Sequence, residues 1–413
     1  MNNRKQSDLL FRRANQVIPT GIYGHVAPGA GLPLDFPHFC QSGNGCRFID
    51  VDGKEWLDFM CGFGAVLHGY RNPLIDGSVE KQHPYGAVFN QPSQLMVELA
   101  EKLVEQIDFA EWAVFAKNGS DLTTWAIRVA REQTGREYVI KARGAYHGVD
   151  AWCDPGLGGR IASDRSHILE FEWNDFDQLE SLFRKYSGKI AAVILTPYHH
   201  PSFGPSILPI GSFWNDVETL CRSYGTALVL DDVRCGWRLH DGGSHKYFGF
   251  TPDLAIYSKA LGNGYAISAC IGSGFFRAGA SEVFLTGSCW NDAFAMAAAL
   301  ACLKLVKDQE TAESVLRKGT LFCEQLESIA QKCGIPLRMT GVRSMPYPWI
   351  EGDDNYYQIQ TLCKIAASYG LYFHPHHNWF ISNAMNDQDL EQAILLSTEA
   401  FEHYERENLS QTK

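Results

Sequence analysis

Three segments place reactive side chains where backbone geometry could hold them. In FAKNGSDLTTWAIRVAR, residues 115–131, an apolar strand runs into Gly119 and Ser120 and then into a helical period. The first turn of a helix offers unpaired N–H groups and the positive end of its dipole, which together suit a phosphate dianion. Gly119 permits close approach and the Ser120 hydroxyl can add a hydrogen bond, although an ordinary helix cap uses the same residue types. In ALVLDDVRCGWRL, residues 227–239, a buried-type strand ends in Asp231 and Asp232. Alternation along a strand sends these carboxylates to opposite sides, so at most one faces a given ligand. That one could bind a metal, act as a general base or pair with a protonated ring nitrogen; it could equally cap a helix or pair with Arg234 or Arg238. In TPDLAIYSKALGNGYAISACIG, residues 251–272, Lys259 stands between a short apolar strand and the turn Gly262-Asn263-Gly264. Desolvation there lowers an amine's pKa and readies it to attack an aldehyde, while the bland alternative is a solvated lysine at a strand end.

The elements around these segments read as an α/β array. Apolar runs at 113–116, 138–142, 167–171, 191–196, 226–231, 254–257 and 266–272 predict strands. Between them lie helical stripes, such as Leu122, Ala126, Val129 and Ala130, and similar ones near 175–186 and 212–224. Near-continuous apolar strands alternating with helices imply a mostly parallel central sheet covered on both faces, with ligands at the carboxyl ends of the strands. Before this array come a short amphipathic helix over 6–18, an arm rich in Gly and Pro over 19–37, and a hairpin near 46–60. The dipeptide Asp52-Gly53 predicts a two-residue turn in that hairpin. After a helix over 290–307 the pattern becomes a small α+β tail, with WFIS at 379–382 as a strand and a final helix from Asp387.

Composition narrows the functional classes. With 413 residues and 45% hydrophobic residues the chain can bury a large core. Its 36 basic against 47 acidic residues give a net charge of -11, which disfavours nucleic acid. Apolar stretches end before membrane-spanning length, and the charged opening carries no signal-peptide core, so a cytoplasmic protein with no membrane partner is expected. Twelve Cys form no CxxC pair and read as buried reduced thiols. The cluster HPHH at 374–377 has no acidic or Cys ligand at a suitable spacing, so no metal is expected. No strand leads into GxGxxG, which argues against a dinucleotide.

Taken in order, the phosphate loop, Tyr146-His147-Gly148, the strand-end Asp and the Lys of YSKALGNG resemble the class III, fold type I pyridoxal-phosphate aminotransferases. The likeness runs from about residue 11 to 404 and is nearest the glutamate-1-semialdehyde aminomutase-like branch. VDGKEWLDF, CGFGAVLHGYRNP and TGSCWNDAFAMAAA also resemble family segments. The resemblance implies a large cofactor-binding domain over 61–308 and a small domain over 309–413, with residues 1–60 as an arm and hairpin packing on the latter. It implies that Lys259 forms the internal Schiff base with pyridoxal 5'-phosphate (PLP) and shuttles the proton, and that Asp231 faces the pyridine nitrogen. Tyr146 and Val233 would flank the ring, with His147 among the cofactor contacts. Gly119 and Ser120 would cradle the phosphate, and Ser288 would reach the phosphate of a neighbouring subunit, which implies a homodimer with shared sites.

Departures from the family pattern bear on the reaction. Thr196 stands where relatives commonly carry Glu, and TGIYGHVAPG lacks an Arg for an aminomutase substrate's carboxylate. The surroundings of Ser288 differ too, with Cys289, Trp290 and Asp292. Arg234, beside the strand-end Asp, could bind an acidic or hydroxylated substrate or pair with Asp232. Together with Thr196, His199, His200, His374, His376 and His377 it makes a polar set at the expected mouth. The expected activity is therefore transfer of an amino group from an amino-acid donor to an aldehyde or ketone, with a polar sugar-like carbonyl compound as the expected acceptor. An aminomutase, a racemase and a degenerate binding subunit are the alternatives.

Overall fold

Strands whose residues are apolar on both sides cannot face water, so the seven short runs of the central region must be covered from both directions. The computed structural model describes residues 5–29, 32–156, 158–201 and 204–411. Across the sheet the strands run Trp112–Ala116, Ser268–Gly272, Leu254–Tyr257, Ala227–Asp231, Ile190–Leu195, Tyr138–Ala142 and Ile168–Phe171. All pairings are parallel except those of Ser268–Gly272, which is antiparallel to both neighbours. The fold is thus α/β with a mostly parallel sheet. Helix Gly119–Thr134 covers one face, where Leu122, Trp125, Ala126 and Val129 join Ala192, Ile194, Val229, Ile256 and Cys270 in one core cluster. The alternate residues Ala191, Val193, Leu195, Leu228 and Leu230 are also buried, so the opposite face is covered as well.

Two compact units divide the chain. Met1–Asn72, Phe203–Pro205 and Ser314–Lys413 make up one, and Pro73–Ser202 with Ser206–Glu313 the other. The first contains a four-stranded sheet, in order Cys40–Asn44, Arg47–Asp50, Glu55–Asp58 and Leu371–Tyr372, and a separate pair, Leu337–Thr340 with Tyr347–Ile350. Its terminal helices span Lys5–Val17 and Asp387–Gln411. No helix among the described residues is long and apolar enough to cross a membrane.

Two local expectations are corrected. The hairpin loop has three residues, Val51, Asp52 and Gly53, because the Asp50 N–H donates to the Lys54 carbonyl at 3.0 Å. Only Gly53 takes a positive φ, +84°, and Asp50 Oδ1 accepts from the N–H groups of Asp52 and Lys54. WFIS at 379–382 forms no strand. Its N–H groups alternate between partners, Trp379 and Ile381 donating to Pro346 and Ser344, and Phe380 to Phe59. Pro346 has no N–H to return, so no ladder closes.

The core under helix Gly119–Thr134 fixes where that helix begins. Leu122→Ala is expected to cost about 2–5 kcal/mol, seen as a lower urea midpoint for loss of helical circular dichroism; an unchanged midpoint would show that Leu122 does not bear on the core.

Candidate active site

In a parallel sheet every strand delivers its following residues to the same rim, and this chain's reactive residues follow strand ends. Asn118, Gly119 and Ser120 come after Trp112–Ala116; Tyr146, His147 and Gly148 after Tyr138–Ala142; Thr196 after Ile190–Leu195; and Ser258 and Lys259 after Leu254–Tyr257. Asp231, Val233 and Arg234 close Ala227–Asp231. Together with Thr123 and His200 they line a cavity of about 210 Å³.

One end of the cavity is a helix start. The Asn118 N–H donates to Asp121 Oδ2 at 2.9 Å, and the Asn118 side chain accepts from the Asp121 N–H, a reciprocal cap. The N–H groups of Gly119 and Ser120, next in that first turn, have no acceptor within the helix. Glycine is required twice around them. A Cβ on Gly119 would stand 2.8 Å from Val233 Cγ2, and one on Gly148, at φ +137°, would stand 2.7 Å from Ser120 Oγ.

The two adjacent carboxylates point apart. Asp231 Oδ2 accepts from His147 Nδ1 at 2.8 Å, both side chains being buried, and Asp231 Oδ1 accepts from the Val233 N–H at 3.2 Å. His147 is held in turn: its carbonyl accepts from Thr123 Oγ1 at 2.6 Å and its ring stacks on Trp152, with 7° between the planes. Asp232 faces away and accepts from the Ser244 N–H and Oγ at 2.9 and 2.6 Å. Burial pushes the Asp232 carboxyl up to about 6. No group of three His, Cys, Asp or Glu side chains able to hold a metal occurs among the described residues.

Lys259 occupies a left-handed backbone position, φ +47°, at the start of a tight turn whose Gly262 N–H donates to the Lys259 carbonyl at 3.1 Å. Gly262 is obligatory, since a Cβ there would lie 2.1 Å from the Tyr265 carbonyl oxygen. Burial, and next the Arg234 guanidinium, lower the Lys259 amine to about 7, while Asp231 opposes them. An amine so placed is largely uncharged just above neutral pH and can serve as a nucleophile or take up a proton.

The other expected residues divide. Tyr146, half-exposed, and Val233, Thr196 and Arg234 line the cavity. The Thr196 hydroxyl donates to the Tyr198 carbonyl at 2.7 Å. His199 does not line the cavity: its backbone pairs with Ile207, its ring stacks on Trp173, and burial lowers it to about 4. Ser288 lies on an exposed segment and is likewise absent from the lining. His374 is buried within the other unit. Asn118, Thr123 and Ser258 also line the cavity though the sequence did not mark them as site residues, and Gly148, read above only as part of the Tyr146-His147-Gly148 motif, lines it as well.

A family model described as aminotransferase class-III matches residues 33–386. The chain is 37% identical to the aminopentol aminotransferase of Sphingopyxis macrogoltabida, over 97% of this chain and 94% of that one. It is 28% identical to the glutamate-1-semialdehyde 2,1-aminomutase of Syntrophobacter fumaroxidans, over 96% and 98%. The solved PLP internal aldimine form of the FumI protein of Sphingopyxis sp. MTA144 superimposes with a TM-score of 0.96 at 36% identity, covering 98% of each chain. The chain belongs to the class-III aminotransferases, and it is a PLP-dependent enzyme of fold type I. The residues present suit that cofactor: a helix start with its glycine cradle for the phosphate, a fixed carboxylate for the ring nitrogen, and a buried amine for the aldehyde. Bound there, PLP supplies an electron sink for the pair left when a proton departs from the substrate carbon.

Competitive acetylation of cofactor-free protein checks the environment of the amine. Lys259 should become reactive with a midpoint near pH 7, since only the neutral amine reacts; a midpoint near that of the surface lysines would contradict the burial described.

Proposed function

We propose that this aminotransferase exchanges an amino group between an amino acid and a hydroxylated amine or its carbonyl counterpart. Similarity to a relative named for aminopentol supports a hydroxylated substrate. So do the polar groups lining the cavity, among them Thr196, Tyr146 and His200. The observation that carries the reading is the buried Lys259 amine beside a carboxylate anchored by His147. In this reading Lys259 would tether the cofactor, be released when the substrate's amine takes its place, and with the freed Nζ carry the proton away from the substrate carbon. Asp231 would hold the ring nitrogen protonated, and Tyr146 and Val233 would flank the ring. Gly119 and Ser120 take the phosphate. The larger unit would be the cofactor-binding domain, with the arm and hairpin packing on the small domain.

A homodimer with shared sites belongs to the same reading. Its support is a groove lined by Met96, Val97, Leu285 and Trp290. Phe284, Val97, Val88 and Phe89 are exposed in the same unit. Ser288 lies three residues beyond the Leu285 that lines this groove, so a second copy seated there would receive it. Sedimentation should give a species of twice the chain mass; a monomer would count against it. A cytoplasmic setting is supported by twelve unpaired thiols. The aminomutase likeness favours a second reading, intramolecular transfer, which turnover of one compound without any added donor or acceptor would reveal.

Mixing the cofactor-loaded enzyme with Glu, Gln, Ala or Asp should convert the cofactor absorbance to that of its amine form; no conversion by any of them would count against the transaminase. Lys259→Ala should fold but lose covalent attachment, and Asp231→Ala should slow the half-reaction about 100-fold or more.

A further inference from the structure

The cavity favours an anion in two places, bordered by adjacent residues of one turn, Val233 and Arg234. Val233 packs toward Gly119 at the helix start. The next residue, Arg234, lines the cavity together with His200 and Lys259, which follow the ends of the neighbouring strands, and its charge acts on both. The first place, at Gly119 and Ser120, suits the cofactor phosphate; the second is the Arg234 guanidinium. Asp231 also borders the cavity, but its two oxygens are engaged by His147 Nδ1 and the Val233 N–H. Burial lowers the Arg234 pKa even though Cys235, Tyr198, Asp231 and Tyr146 act to raise it. A guanidinium in such surroundings gains most from a planar anion that accepts two parallel hydrogen bonds. A hydroxylated chain offers no such partner, whereas an amino acid does.

We infer that Arg234 determines specificity in the amino-acid half-reaction, binding the donor's α-carboxylate and so selecting α-amino acids over amines that lack an acid group. This rests on the transaminase reading above. In the other half-reaction the same guanidinium donates to hydroxyl oxygens, which lets one cavity serve both substrates. Arg234 also disfavours a second positive charge at Lys259, so it could act merely through the amine. In that case its removal would affect every amine alike.

Propionate, which keeps the carboxylate and lacks the amine, separates these possibilities on the cofactor-loaded enzyme. It should compete with L-alanine in the unmodified protein. Arg234→Gln should raise its inhibition constant at least about tenfold, with Arg234→Lys intermediate, because a point charge replaces a two-pronged donor. The ratio of kcat/KM for L-alanine to that for isopropylamine, which has a methyl in place of the carboxylate, should fall by a similar factor. Where the Gln variant does not fold, the Lys variant carries the same comparison. Non-competitive propionate, an unchanged inhibition constant, or equal losses on the two amines would overturn the assignment. A protein that converts no amino acid at all would instead sink the transaminase reading, which the unmodified enzyme reports by itself.

Discussion

The site depends on keeping one amine uncharged at the rim of a parallel sheet. Burial and the neighbouring Arg234 guanidinium press the Lys259 ammonium to release its proton, and Asp231 pulls the other way. The balance holds because Asp231 is not free to turn: His147 Nδ1 and the Val233 N–H fix its two oxygens. Tyr138–Ala142, Ala227–Asp231 and Leu254–Tyr257 must all end at the same level for His147, Asp231 and Lys259 to meet. Six of the seven strands share one direction, and the exception, Ser268–Gly272, sends no residue to the cavity lining.

Much of this was legible in the sequence, because short apolar runs bounded by glycine and acidic residues leave few choices in an α/β pattern. The strand-end positions of Asp231 and Lys259, the helix start at Gly119, and the opposite facing of Asp231 and Asp232 follow from period and alternation alone. What failed had tertiary causes. His199 looked available because it follows a strand, yet its backbone pairs with Ile207 and its ring turns onto Trp173. WFIS has strand composition, but its N–H groups donate alternately to two different segments, one of them at Pro346, which has no N–H to return. The anchoring of Asp231 by His147 spans 84 positions, beyond any local pattern.

Relatives of this chain are named as an aminotransferase and as an aminomutase, so the reaction must be sought in the residues bordering the cavity. Two of them bear on the proposed substrates. Thr196 spends its hydroxyl proton on the Tyr198 carbonyl and brings no charge, and Arg234 brings one where the substrate would lie. A cavity with these groups presents positive charge and hydrogen-bonding capacity around the amine. That suits a substrate pair in which one member is acidic and the other polar but neutral.

Borohydride reduction of the cofactor-loaded protein, followed by proteolysis and mass spectrometry, tests the central claim most directly. The reduced cofactor should be carried by the peptide containing YSKALGNG, at Lys259. Attachment to a different lysine, or no attachment in protein that has taken up the cofactor, would contradict it.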